Sequence, residues 1–446
     1  MMVNEFLLKK ISTSKIFIFI LLLSILIFFN ISDQSTSYGK RNNLYEDSAD
    51  SYSHYIVRNS IINDLIGFEN KNGPLILTKR YSYLDSEGLT KEDFNYYNDN
   101  TTLYTHSRTY QRKIYTKLIK ASPLYKLEIK KETLDKLNTL FTKAKIFPNS
   151  RIDFKIEIHL QFFRYLNTLI LAIILTIFAV SLNGKNNLGL IMSCLMSLIT
   201  GITIYSSNLY VPSWQLLIPL LYFPILKNYT SIKICFFLNL IGSFIYFSSN
   251  YLFAATFGFL SLLPVILISV KENRLIKKLI LTTFLGFMLG FFIAVYFHVN
   301  EVSNELNIKN QEAISNIFES ASTRIFSLYP IPFGLSFFKT ILTNQLTDGF
   351  KIPLLFTLPK SIILYIFIFL FFKLVQTNYK FLFWWGFLTY VINYIFNYSH
   401  MMHHNIYDSL LFGVSIQLTL FIYFFINALK IKKYTKEKIK KLFEIN

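Results

Sequence analysis

The sequence predicts an all-α polytopic membrane protein with about ten transmembrane helices and a large extracytoplasmic loop domain after the first helix. Hydrophobic residues make up 52% of the chain and charged residues only 16%, against about a quarter in an average soluble protein. The charged residues gather in one polar stretch, 32–160, and in short basic loops. Apolar blocks of membrane-spanning length fill most of the remainder, which a single soluble core does not explain.

The first apolar block, 15–31, follows a basic segment and lacks a small-residue cleavage site after it, so it is interpreted as an uncleaved signal anchor. Pro219 and Pro224 interrupt one later block and Asn239 makes the next one polar, so these two form either weak spans or a re-entrant pair. The later blocks lie at about 162–182, 188–207, 211–226, 232–248, 251–270, 279–297, 354–375, 381–397 and 408–429.

Six parts follow from these blocks. They are a cytoplasmic N-terminus with the signal-anchor helix (1–31), the extracytoplasmic loop domain (32–160), helices two to seven (161–297), an extracytoplasmic or interfacial loop (298–352), helices eight to ten (353–429) and a basic cytoplasmic tail (430–446). Within the loop domain, apolar residues at helical spacing predict a helix over 121–145.

The lysines and arginines of the short loops predict the orientation. Alternate loops contain basic residues, among them Lys185, Lys227 and Lys277, whereas the loops at 206–208 and 248–250 contain none. Because basic short loops stay on the cytoplasmic side, both termini are expected to be cytoplasmic. The same lysines account for much of the net charge of +19, so membrane lipids rather than nucleic acid are the expected partner.

Apart from Lys360 in the block at 354–375, the predicted spans contain no Asp, Glu, Lys, Arg or His away from their ends. Ion- and proton-coupled transporters usually place such groups near the middle of the bilayer, so a pump is disfavoured. Cys194 and Cys235 lie inside apolar blocks and are interpreted as small buried hydrophobic residues. Chemistry is therefore expected at the outer ends of the helices.

An acidic cluster follows the first span and contains Glu46, Asp47 and Asp50. Neighbouring carboxylates raise one another's pKa, which suits a general base working near neutral pH. The alternative is a solvated turn before a helix. Glu92 and Asp93 form a competing acidic pair, which fits the start of a helix better.

Further candidates are polar residues at the predicted outer ends. Arg164 could bind a phosphate with its guanidinium fork or extend to lipid head groups. Asn and aromatic residues suit sugar recognition but also act as interfacial anchors. The histidines at i, i+3 and i+4 suit phosphate, sugar or metal, or have no function. The candidates are Arg164, Asn208, Tyr210, Trp214, Asn250, His400, His403, His404 and Asn405.

A cytoplasmic N-terminus, one helix, a large outer loop with early acidic residues and a row of further helices together resemble the GT-C class of membrane glycosyltransferases. The stretches 207–219 and 399–405 are similar to segments of membrane proteins from bacterial polysaccharide loci. In the GT-C class an early acidic residue acts as base or binds a metal, and Glu46, Asp47 and Asp50 match it by position. The cluster begins about 15 residues after the first helix, further than usual, and Asp33 is an alternative.

The resemblance implies a glycosyltransferase of a bacterial cytoplasmic (inner) membrane that acts in surface polysaccharide assembly. Its expected partners are a polyprenyl-phosphate-linked sugar donor and a glycan acceptor, and a divalent cation is an open possibility for the cofactor. Arg164, with His403 or His404, would hold the donor phosphate. A polymerase or ligase of lipid-linked repeat units is the second enzymatic reading, and a non-enzymatic lipid-linked glycan flippase or exporter is the third.

Overall fold

The protein is seen in a computed structural model that is mostly helical. It describes residues 11–42, 65, 109–143, 154–183, 186–206, 208, 212–229, 231–249, 251, 253–269, 276–306, 308–315, 317, 349–351, 357–359, 381–403, 410–423 and 425–426. The helices in these ranges are α1 (Thr13–Asn42), α2 (Thr109–Ala121), α3 (Pro123–Lys126), α4 (Lys131–Lys143), α5 (Phe154–Asn183), α6 (Asn187–Ser197), α7 (Thr200–Ile204), α8 (Ser213–Leu217), α9 (Tyr222–Asn228), α10 (Ile232–Phe247), α11 (Ala254–Ser269), α12 (Ile276–Leu306), α13 (Phe381–His403) and α14 (Leu410–Tyr423).

Two of these helices are long and apolar enough to cross a membrane, by length and composition. They contain the stretches Ile158–Asn183 in α5 and Lys277–Asn304 in α12. Shorter apolar helices coincide with other predicted blocks, namely Thr13–Phe28, Asn187–Ser197, Ile232–Phe247, Ala254–Ile268 and Leu410–Tyr423. The helical class predicted from the sequence is thus confirmed, while the number of spans stays a prediction.

Some boundaries differ from those predicted. Helix α1 runs on to Asn42, about ten residues into the stretch predicted as external loop. The helix predicted over 121–145 is divided, because Pro123 starts a new short helix and residues 127–130 separate it from α4.

A short hairpin also departs from an all-α chain. Strands β1 (Gly349–Lys351) and β2 (Thr357–Pro359) pair antiparallel, with Phe350 opposite Leu358. Strand β2 lies at the start of the block predicted to span the membrane at 354–375. Pro359 has no backbone N–H to donate the hydrogen bond that a residue inside an α-helix makes, which favours extended backbone there.

The proline-containing block forms a broken helix. Helix α8 passes into a 3₁₀ segment, Ile218–Leu221, which leads into α9. Pro219 and Pro224 cannot donate the N–H bonds of a continuous α-helix, so the break follows from the sequence. The whole stretch has 16 residues from Ser213 to Asn228 and rises about 24 Å, less than the roughly 30 Å of a bilayer core.

Helices α5 and α6 form an antiparallel hairpin at the centre of the bundle. Thr176 on α5 and Ser193 on α6 share a hydrogen bond of 2.9 Å between their hydroxyls. Closer to the turn, Gly189 packs directly against the backbone of Val180. Asn186 caps the start of α6, because its Oδ1 accepts a bond from the Gly189 N–H. Helix α1 also packs against α5, where the Ser24 and Tyr165 hydroxyls lie 3.0 Å apart.

Helices α10 and α12 run parallel in close contact. Near their starts Cys235 lies 3.3 Å from the Thr283 hydroxyl, and near the end of α10 the Phe247 ring lies 4.8 Å from that of Phe291. Gly286 and Gly290 let the backbones meet between these points. A Cβ at Gly286 would lie only 2.6 Å from the Phe236 carbonyl oxygen. This small-residue packing is typical of helix pairs within membranes.

Several lysines lie at one end of the bundle, because α9 ends there and α10 and α12 start there. Lys227 at the end of α9 donates a 2.6 Å bond to the Ser181 carbonyl near the end of α5. The next helix, α10, starts within a few residues and carries Lys233, and its parallel neighbour α12 starts with Lys277 and Lys278. The start of α5 and the end of α10 lie at the opposite end.

Candidate functional site

A group of uncharged polar residues lies at the end of the bundle opposite Lys227, Lys233 and Lys277. It consists of Asn167, Asn208, Trp214, Gln215 and Ser249, and we call it the outer polar cluster because the sequence predicts that this end faces outward. Asn167 belongs to α5, Trp214 and Gln215 to α8, and the other two to the turns before α8 and after α10. Four of the five are buried, and Trp214 is half-buried. Three separate parts of the chain therefore meet here.

The loop between α7 and α8 is tied down by hydrogen bonds to its own ends. The Ser213 backbone N–H donates to the Tyr205 carbonyl at 2.9 Å, and the Ser213 hydroxyl donates to the Ile202 carbonyl at 2.8 Å. Pro212 precedes the helix in extended backbone, which proline favours just before a helix start. These bonds fix where α8 begins and hence where Trp214 and Gln215 project.

Asn167 connects this loop to α5. Its side-chain Nδ2 donates to the Asn208 backbone carbonyl at 3.1 Å, and its Oδ1 accepts a 3.0 Å bond from the Trp214 indole Nε1. Only 4% of Asn167 is exposed, so the Nδ2 and the Oδ1 of its side-chain amide both need partners inside the protein. The indole N–H is thereby used inside the protein, and the half-buried ring packs against the hydrophobic core.

Gln215 extends the cluster towards the turn after α10. Its Nε2 donates to the Ser249 hydroxyl at 3.1 Å, and Gln215 is only 3% exposed. Its Oε1 has no hydrogen-bond partner within the part of the chain that the structure describes. A buried acceptor of this kind has a free energy cost unless a donor reaches it, and a ligand hydroxyl is one such donor.

Arg164 lies one turn before Asn167 on α5 and is half-buried. Its Nη1 is 3.4 Å from the Gln161 Oε1, a long contact made between residues on the same helix face. The guanidinium carries a permanent positive charge and five N–H donors, and it lies one turn from Asn167 of the outer polar cluster.

Tyr251 and His298 form a second polar contact at this end. The Tyr251 hydroxyl lies 3.1 Å from the His298 Nδ1, and the two rings are stacked with centroids 5.5 Å apart. His298 belongs to the C-terminal part of α12, so this contact ties the turn after α10, which includes Ser249 of the cluster, to the parallel helix.

The structure places only part of the sequence-predicted site. Asn208 and Trp214 meet at Asn167, and Arg164 is their neighbour on α5. His400 and His403 lie in the last turn of α13, with no description of their side chains. The other predicted residues lie outside the described residues: Glu46, Asp47, Asp50, Tyr210, Asn250, His404 and Asn405.

Asn167 and Gln215 are the residues that sequence reasoning missed. Each is a lone amide in or beside an apolar block, which is a readable signal because buried amides need specific partners. The signal says nothing about which partners these are, since Asn208 and Trp214 lie 41 and 47 positions away along the chain. Only the fold shows that they meet.

The arrangement can bind hydroxyl groups and an anion. Asn and Gln amides supply donors and acceptors, the Trp214 ring face offers a stacking surface, and Arg164 supplies positive charge. Among the described residues, no three or more His, Cys, Asp or Glu side chains form a group that could hold a metal ion. The chain matches no family model, no curated protein and no solved structure.

Proposed function

We propose that this chain is a GT-C-type membrane glycosyltransferase with about ten spans, in a bacterial cytoplasmic membrane with both termini inside. It would transfer sugar from a polyprenyl-phosphate donor on the extracytoplasmic face during surface polysaccharide assembly. The observation that carries the proposal is the outer polar cluster beside Arg164, at the end of the bundle opposite the lysines. Sugar- and phosphate-binding chemistry then lies at the outer face.

The exposed surface of α12 supports the membrane setting. Most of its exposed large apolar residues follow one stripe along the helix, which in water would be unfavourable and in a bilayer would contact acyl chains. They are Leu281, Phe284, Leu285, Leu289, Phe292, Tyr296 and Phe297, and Ile280 is exposed next to the start of the stripe. Helix α1 has a similar exposed apolar face that includes Phe17 and Leu22.

The interior of the bundle supports a site at its outer end rather than a path through it. The polar groups buried between α5, α6, α10 and α12 are uncharged, for example Thr176, Ser193 and Asn239. Thr176 and Ser193 bond to each other between α5 and α6, and the Asn239 Nδ2 donates a 2.8 Å bond to the Cys235 carbonyl of its own helix. A bond such as the first joins two helices without placing a charged group between them.

The proposed reaction uses few groups. A carboxylate of Glu46, Asp47 or Asp50 takes the proton of the acceptor hydroxyl. At the same time, the oxygen of that hydroxyl bonds to the anomeric carbon of the donor sugar. The bond from that carbon to the phosphate oxygen breaks, and Arg164, with His403 or His404, stabilises the negative charge of the departing polyprenyl phosphate. The Trp214 ring and the amide of Gln215 hold the sugar, with Asn208, Tyr210 and Asn250 along the rim.

The proposal is tested by the lipid-linked and surface glycan profile of a deletion strain, measured by mass spectrometry. The strain is complemented with wild type, with the Glu46→Ala, Asp47→Ala, Asp50→Ala variant, or with a control in which Glu92, Asp93 and Glu128 become Ala. We expect glycan lacking one sugar in the deletion and in the first variant, and normal glycan in the control at equal expression.

Other profiles would contradict the proposal. Single repeat units accumulating on the lipid carrier would identify a polymerase or ligase. Complete lipid-linked units retained on the inner face would identify a flippase. A normal profile in the first variant at normal expression would remove the acidic cluster from the mechanism.

A further inference from the structure

A strongly basic segment lies on the same side of the molecule as the proposed site. It covers residues 109–131 and includes α2, α3 and the residues up to the start of α4. The segment has seven basic residues and one acidic residue, Glu128. The basic residues are Arg112, Lys113, Lys117, Lys120, Lys126, Lys130 and Lys131. Lys117, Lys120, Lys126 and Lys130 are all exposed.

This basic segment packs where the apolar part of α5 begins. The Tyr115 ring lies 4.5 Å from the Phe163 ring, and fully buried Ile119 belongs to the same core as Leu160. Lys155 donates a 3.4 Å bond to the Tyr125 carbonyl. The membrane-length stretch of α5 starts at Ile158, so these contacts hold the segment at the level where a bilayer boundary would lie.

The outward face of the segment mixes aliphatic and basic side chains. Ile114 is 42% exposed and Leu118 is 52% exposed, and their i, i+4 spacing puts them on one face of α2. Lys117 lies beside them, and Leu127, 53% exposed, follows α3. Exposed aliphatic groups flanked by lysines are typical of helices that lie in the interface of a membrane, where lysine stems extend to the head groups.

We propose that residues 109–131 form a docking surface for anionic lipid head groups of the outer leaflet. The lysines supply charge complementary to phosphate, and Ile114, Leu118 and Leu127 enter the boundary of the acyl chains. An acidic glycan would be matched by the lysines but not by the aliphatic residues between them. The inference rests on the membrane setting of the chain but not on its transferase activity.

The test uses the full-length protein in nanodiscs, with Cys194 and Cys235 replaced by Ala and a nitroxide spin label on Leu118→Cys. Power saturation gives the ratio of oxygen to nickel-chelate accessibility, which rises when the label enters lipid. Because each lysine near an anionic surface contributes roughly a fivefold preference, we expect this ratio to be higher with phosphatidylglycerol present than in phosphatidylcholine alone.

Charge variants separate this surface from the rest of the protein. Replacing Lys117, Lys120, Lys126 and Lys130 with Gln should abolish the dependence of the accessibility ratio on phosphatidylglycerol. The matched control replaces four exposed lysines of the other end with Gln and should leave that dependence unchanged. These lysines are Lys15, Lys233, Lys277 and Lys278. An equal ratio in both lipids, or a label immobilised by an added acidic polysaccharide in phosphatidylcholine alone, would overturn the proposal. Neither result depends on whether the acidic cluster is catalytic.

Discussion

At the scale of single residues, Asn167 has the most consequence for the proposed site. It is buried in a helix of membrane length and uses both ends of its amide, one for the Asn208 carbonyl and one for the Trp214 indole. A net contribution of about 1 kcal/mol per hydrogen bond is usual, and a buried donor left without an acceptor costs more. The position of the Trp214 ring thus depends on one side chain from another helix.

Asn167→Ala is therefore expected to destabilise the protein by about 1–3 kcal/mol, because it removes the bond that the Trp214 N–H donates and the bond that the Asn208 carbonyl accepts. Trp214→Phe removes only one of the two bonds and should cost less. Thermal unfolding in detergent measures both, and the double variant should show a coupling of about 1 kcal/mol. Asn228→Ala, at an exposed position, is the control. Additive effects of Asn167→Ala and Trp214→Phe would contradict this bond.

At the same scale, the sequence named Asn208 and Trp214 as candidates because both lie near one predicted outer end, and only the structure shows that both bond to Asn167. It singled out Arg164 from its position at the outer end of an apolar block, and the structure places it one turn from Asn167. It could not predict the bond partners of Asn167 and Gln215, because one amide in an apolar block is compatible with many partners. Partner choice depends on how the helices pack.

At the scale of helices, the contact between α10 and α12 depends on glycine. The two glycines of α12, Gly286 and Gly290, are four residues apart and face Asn239 and Ser243 of α10. A Cβ at Gly290 would overlap the Leu240 carbonyl oxygen, which belongs to the backbone and cannot move aside easily. The pattern of glycines four apart is readable in the sequence, but its partner helix is not.

Gly286→Ala and Gly290→Ala are each expected to destabilise the protein by about 1–3 kcal/mol, because the added methyl separates two packed backbones. Gly258→Ala is the matched control, since the nearest atoms to its new methyl would be 3.5 Å away on the Phe287 ring. Thermal unfolding and the yield of folded protein measure the difference. Equal stability of all three variants would show that α10 and α12 do not pack through these glycines.

At the scale of the whole molecule, charge is distributed along the axis of the bundle. The lysines at the ends or starts of α9, α10 and α12 lie together, although the sequence spreads them over about fifty residues. Since basic loops remain in the cytoplasm, this end is expected to face inward. The long outer region is exempt from that rule, so its basic segment is compatible with an external position.

The orientation can be measured with single cysteines and a maleimide that does not cross membranes, in a background where Cys194 and Cys235 are replaced by Ala. We expect Glu128→Cys to react in intact cells and Asn228→Cys to react only after permeabilisation, because they lie on opposite sides. Both positions are exposed, so reactivity reports the compartment. Reaction of Asn228→Cys in intact cells would reverse the proposed orientation.

The amino-acid sequence by itself determined the helical class, the approximate places of the apolar helices and the break at Pro219 and Pro224. These depend on local properties, namely hydrophobic block length and the missing N–H of proline. Only the tertiary structure decided that α10 and α12 run parallel, that Asn167 holds Trp214, and that residues 109–131 pack at the boundary of α5. These contacts join residues far apart in the chain, and their choice depends on the shape of packed helix surfaces rather than on any local pattern.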